Sequence, residues 1–233
     1  MDHVRTVSAF AQISSFPQRK KLTHESSRLY LVSFVDMLLV SIQTNLNPYV
    51  TSSFGQHGLL ATISIVSSIL GGTSSFTIAK IIDIWGRMEG FLVMLLIIVV
   101  GLIMKATCEN VETYAAAHTL YWVGHIGLLY VINIIIADMT SLRNRMIMIT
   151  LTGTPTIATV FAGPAIAELF YNKSNFRWAF GAFCIILVAV SIPAVVIMFI
   201  NQRKASRAGM LPEKTSTRTP LQSVKYYLVE FDG

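Results

Sequence analysis

Apolar residues run along this chain in six long blocks. Residues 59–79, 114–137, 146–167 and 178–200 are free of Asp, Glu, Lys and Arg for 21 to 24 positions each. Residues 29–49 are interrupted by one charge, Asp36. Residues 91–104 are strictly apolar for 14 positions, and Gly90, Ala106, Thr107 and Cys108 lengthen the block. Lys105 is expected to snorkel there, its stem along the apolar surface and its ammonium in water. A bilayer-spanning helix needs roughly 20 mainly apolar residues. The pattern therefore predicts an all-α membrane protein: a six-transmembrane-helix bundle over 29–200 between polar tails at 1–28 and 201–233.

Composition agrees. Of 233 residues, 53% are hydrophobic and only 13% charged, against about 25% charged in an ordinary soluble domain. The formal net charge is +6, which by itself would suggest nucleic acid, but its location excludes that partner. Residues 29–200 hold seven Lys/Arg and seven acids, so the bundle is neutral. The excess sits in the tails: five Lys/Arg against two acids in 1–28, and six against three in 201–233. With the N-terminus inside, fifteen Lys/Arg fall on the cytosolic side and three outside, namely Lys105, Lys173 and Arg177. This bias predicts both tails in the cytosol. The sequon Asn172-Lys173-Ser174 falls in an outside loop, making Asn172 a candidate glycosylation site. The first 28 residues lack an apolar core, so no cleaved signal peptide is expected.

Polar residues inside the blocks carry the candidate chemistry. At 100° per residue, Asp36, Gln43 and Asn47 fall within about 40° of one another on the first span. An acid at mid-span costs about 2.5–3.5 kcal/mol on insertion scales, so Asp36 should face a cavity or a partner group rather than lipid. It either lines a path for substrate or protons, or clamps a neighbouring helix. On the fourth span His118 and His125 share a face, with Trp122 between them and Asn133 at its edge. His125 is a candidate proton carrier because imidazole titrates near physiological pH, with a plain interhelical hydrogen bond as the alternative. On the fifth span Thr152, Thr156, Thr159 and Gly163 form one stripe, with Pro155 and Pro164 nearby. Small and hydroxyl residues on one face favour close packing, and the prolines favour a bend.

The inside loop between spans two and three reads Asp83-x-x-Gly86-Arg87. Gly86 permits a tight turn, and an acid four residues before a base is locally favourable. Cys108 and Cys184 form neither a disulfide framework nor a metal spacing. No nucleophile–base pair, metal triad or phosphate loop is evident, so neither an enzyme nor a cofactor is expected.

Asp83, Gly86 and Arg87 resemble the signature between helices two and three of the major facilitator superfamily. Gly163-Pro164 resembles part of a motif of its proton-coupled antiporters, although Ala167 and Glu168 stand where a glycine pair would follow. Longer stretches, "VSIQTNLNPYVTSSF" (40–54), "LLATISIVSSILGG" (59–72), "YWVGHIGLLYVINIIIADMTSLRNR" (121–145) and "FAGPAIAELFYNKSNFRWAFGAFCIIL" (161–187), look like the fungal siderophore–iron transporters of that superfamily. Those proteins have about twice this length, and the closing "YYLVEFD" looks like the approach to their seventh helix, so the chain resembles their N-terminal half.

The resemblance implies transmembrane import of ferric siderophores, hydroxamate-type chelates, with protons as a second partner and the iron held inside its chelate. It implies Asp36, Gln43, Asn47 and Tyr49 along the path, with His125 and Asn133 as further candidates. Asp83, Gly86 and Arg87 would gate the cytosolic side of a plasma or endosomal vesicle membrane. A lone half would lack its facing wall: Asp36 would need water or a second chain, and Asp83 and Arg87 would lack the opposite half. The alternatives are a facilitator for a drug or organic cation, or a truncated membrane protein that transports nothing and pairs with a complete transporter.

Overall fold

The computed structural model describes residues 19–53, 59–173 and 175–207. Seven helices follow in order: α1 Arg19–Ser53, α2 Leu59–Trp85, α3 Arg87–Thr107, α4 Val111–Met139, α5 Leu142–Gly153, α6 Pro155–Lys173 and α7 Phe176–Arg207. No strand occurs among the described residues. Helix α1 begins inside the polar N-terminal tail, and α7 runs seven residues past the end of its apolar block. The rest of both tails, including "YYLVEFD", lies outside the described residues.

Six helical segments are long and apolar enough to cross a membrane. Five correspond to single helices, while the fifth is made of α5 and α6 together. The sequence suggested one bent helix there. The break falls at Thr154, whose N–H turns back to Leu151 O at 3.1 Å. Pro155 then starts α6, the position where a missing N–H costs nothing. Pro48, Pro164 and Pro193 lie inside helices without ending them.

Local signals set the other ends. Gly86, with φ of 114°, makes the turn from α2 to α3 in a conformation only glycine adopts easily. Asn110 caps α4, its side chain accepting from the Thr113 N–H at 2.8 Å.

Helix α4 packs against α2 and α3, and α1 packs against α6 and α7. Helix α3 lies against α4, where Gly101 faces the Tyr121 backbone: a Cβ there would sit 2.8 Å from the Tyr121 nitrogen. Small residues of this kind let membrane helices approach closely. The stripe of the fifth span packs on α1, as its pattern suggested. Ser33 donates to Thr152 O at 3.4 Å, Ser41 donates to Thr159 O at 2.8 Å, and Gly163 faces Ser41. Leu39, Ile42 and Leu46 of α1, Ile98 and Leu102 of α3, Tyr121 of α4 and Phe180 of α7 are fully buried. Ile69 and Phe76 of α2, Phe161 of α6 and Ile185 of α7 point outward. Large apolar groups thus lie both inside and on the outer surface of the bundle, as suits helices surrounded by lipid.

Candidate functional site

Asp36, Gln43 and Asn47 of α1 face α4, which meets them with His125, His118 and Tyr114. The spacing is seven residues and then four on both helices, read in opposite chain directions. Residues so spaced return to nearly the same helix face. An antiparallel pair therefore brings each polar group of α1 level with one ring of α4.

At the first level His125 Nδ1 lies 2.7 Å from Asp36 Oδ2, with the carboxylate fully buried. The other carboxylate oxygen, Oδ1, is buried without a hydrogen-bond partner among the described residues. At the second level Lys105 of α3 enters between the helices. Its Nζ donates to Gln43 Oε1 and lies 2.7 Å from His118 Nδ1. At the third level the Tyr114 hydroxyl donates to Asn47 Oδ1 at 2.5 Å. Rings fill the intervals, with Trp122 5.4 Å from His125 and 6.0 Å from His118 between centroids.

Lys105 departs from the sequence expectation. It does not snorkel to the surface but is wholly buried. Met94, Ile98, Gly101 and Lys105 follow the spacing i, i+4, i+7, i+11, so Lys105 shares the inward face of α3. Its Nζ lies 4.8 Å from the Tyr121 ring centroid and 5.3 Å from those of Tyr114 and Phe180. A cation over aromatic faces is stabilised by the ring quadrupole, more strongly when desolvated. Asp36 finds its partner on α4 of the same bundle, as the reading of a clamp to a neighbouring helix allowed.

At the α2–α3 turn, Arg87 Nε bonds Asp138 Oδ2 of α4 at 3.1 Å, and Arg87 Nη1 lies 3.6 Å from Asp83. Asp83 and Arg87 therefore also find partners within this bundle. Residues 29–229 match the Major Facilitator Superfamily. The chain belongs to this superfamily. As a member with six apolar spans, it is a multi-pass membrane protein.

Named relatives extend the comparison. The facilitator chain is 58% identical over 229 residues to the MFS siderochrome iron transporter 1 of Ajellomyces capsulatus, covering 98% of this chain and 40% of that protein. It is 40% identical over 205 residues to MFS siderochrome iron transporter D of Aspergillus fumigatus, covering 88% and 34%. To siderophore iron transporter mirB of Emericella nidulans it is 42% identical over 205 residues, with the same two shares. The chain thus spans about 40% or less of the length of these curated relatives. Their names describe transporters rather than enzymes.

The remaining sequence candidates of the facilitator chain lie apart from the ladder. Tyr49 is 45% exposed, its ring 4.2 Å from that of Tyr171 of α6. Asn133 is half-buried on α4, two turns beyond His125. Asn172 is exposed near the end of α6, and Ser174 of its sequon lies outside the described residues. Lys105, His118, Tyr114 and Asp138 were not singled out as site residues. For His118 and Tyr114 a signal existed: their offsets from His125 mirror those of Gln43 and Asn47 from Asp36.

Proposed function

We propose that this chain forms part of a transporter importing ferric siderophores of the hydroxamate type, with protons as the coupling ion. The substrate reading is supported by the named relatives at 40–58% identity. The observation that carries proton coupling is the buried Asp36–His125 pair. It joins two groups able to exchange a proton, and carboxylate Oδ1 is buried with no donor among the described residues.

In this reading the polar residues divide by burial. Asp36, Gln43 and His125 hold protons and charge inside the bundle, while Asn47, Tyr49 and Asn133 lie nearer the chelate path. Asp83, Gly86 and Arg87, with Asp138, latch the cytosolic ends of α2, α3 and α4. Both tails, 1–28 and 201–233, face the cytosol, as the Lys/Arg bias supports, and Asn172 faces outward as a glycosylation acceptor. The membrane is the plasma membrane or that of an endosomal vesicle. A second six-helix unit, from further residues of the same polypeptide or from another chain, completes the path, since facilitator-type transport rocks two halves about a midplane site.

The test is Asp36→Asn in the complete transporter, expressed in yeast lacking its own ferric-chelate uptake. Uptake of labelled ferric hydroxamate should fall at least tenfold with the protein still in the membrane. Unchanged uptake with unchanged pH dependence would remove Asp36 from the mechanism. A second reading is that the chain transports nothing on its own and acts as a membrane partner. Expression of the 233 residues alone, with and without the remainder, separates the two readings.

A further inference from the structure

We infer that Lys105 holds His118 as a neutral hydrogen-bond acceptor, so that of the two histidines on this face of α4 only His125 is free to carry a proton. The inference deepens the proton-coupling reading by assigning the carrier, and its evidence at His118 is independent of transport.

The argument is one of donors and acceptors. An ammonium has three donors and no acceptor, whereas a carboxylate only accepts. His118 and His125 each use Nδ1, but toward opposite partners: Lys105 Nζ at 2.7 Å for one and Asp36 Oδ2 at 2.7 Å for the other. A protonated Lys105 requires an unprotonated Nδ1 on His118, leaving that ring neutral with its hydrogen on Nε2. The Asp36 carboxylate requires a hydrogen on Nδ1 of His125, which both the neutral Nδ1–H ring and the imidazolium satisfy. His125 can thus gain or lose its second proton without breaking its bond, whereas a proton on His118 Nδ1 would break its own.

The surroundings of Nζ support the ammonium. It meets the Gln43 carbonyl oxygen and three aromatic faces, all electron-rich. The titratable or charged neighbours of the two histidines are few. Asp36 comes from α1, Lys105 from α3, Tyr114 and Tyr121 from α4 itself, and Cys108 from the turn after α3. Helix α7 contributes the Phe180 ring, and α2 meets this part of α4 through Ser67 and Gly71, none of which titrates.

The test is nitrogen NMR of the 233-residue chain in lipid nanodiscs, with labelled histidine and His3, His24 and His57 replaced by Gln. His118 should show an unprotonated Nδ1 and a protonated Nε2 that do not change between about pH 5 and 8. A His118 ring with hydrogen on Nδ1, or one that titrates in this range, overturns the inference. Lys105→Arg should preserve the His118 pattern and Lys105→Met should abolish it. A folded Lys105→Met protein with unchanged His118 signals also overturns the inference, and if that variant fails to fold, the unsubstituted chain still decides. A His125 that never titrates would instead sink the proton-coupling reading while leaving the assignment of His118 intact.

Discussion

Helix α1 has two working faces, and they are built differently. One meets α4 through Asp36, Gln43 and Asn47, with Lys105 of α3 inserted beside them. The other meets α5 and α6 through Ser33 and Ser41, whose hydroxyls bond main-chain oxygens at Thr152 and Thr159. The first joins side chain to side chain and brings titratable groups together. The second joins side chain to backbone, is neutral, and depends on how closely two helices approach. A single helix therefore presents titratable side chains on one side and neutral hydroxyls on the other. The cost of perturbing each face should differ in size and in kind.

The largest effect is expected from Asp36→Ala. Breaking one partner of a buried charge pair costs about 3–5 kcal/mol, and here His125 would lose its carboxylate in a site closed to water. Unfolding of the reconstituted chain in a denaturing detergent would measure it. A loss below that of a surface substitution would mean the pair adds nothing to the fold.

On the neutral face, Gly163→Ala should cost about 1–3 kcal/mol through overpacking. The new Cβ would press on the Ser41 side chain and lie 3.1 Å from its backbone carbonyl carbon. Ser41→Gly in the same chain should recover part of that loss, because the two sites are in contact. Lack of recovery would show that the backbones, rather than the side chains, set the distance.

Tyr114→Phe removes the hydroxyl that donates to Asn47 and should cost about 1 kcal/mol. Ser41→Ala removes one hydroxyl–backbone bond and should cost about 0.6 kcal/mol, the average for such bonds between membrane helices. A larger cost for Ser41→Ala than for Tyr114→Phe would invert the ranking of the two faces.

The smallest perturbation probes the end of the charged seam. Cys108 lies just beyond α3, is 1% exposed, and donates its thiol to Lys105 O at 3.1 Å. Burial pushes its thiol above the ordinary range, opposed by the nearby Arg177 charge. Less thiolate at neutral pH means slow reaction with thiol reagents. Labelling should be slow in the folded chain and rapid after unfolding. Rapid labelling without unfolding would mean that this end of the seam opens.

Much of the architecture was legible from the chain alone. The six spans follow from runs of apolar residues because a bilayer admits only segments that satisfy their own backbone. The tight turn at Gly86 and the packing stripe ending at Gly163 follow from local geometry that any reader of spacing can compute. Asp36, Gln43 and His125 also stood out, because a polar residue in an apolar run needs a partner. Lys105 did not stand out. Its position near the end of a block fits a snorkelling lysine as well as a buried one, and the apolar stretch 91–104 of α3 offers no polar face to show which side is inward.

The sequence by itself determined which residues had to leave water, since hydropathy is a property of each residue and its near neighbours. Only the tertiary structure decided what those residues met there. It paired Asp36 with His125, placed Lys105 between Gln43 and His118, and set Arg87 against Asp138. These pairings join residues 51 to 89 positions apart, apart from Lys105 and His118. They depend on the register between helices, to which the close packing of Gly101 on Tyr121 contributes for α3 and α4.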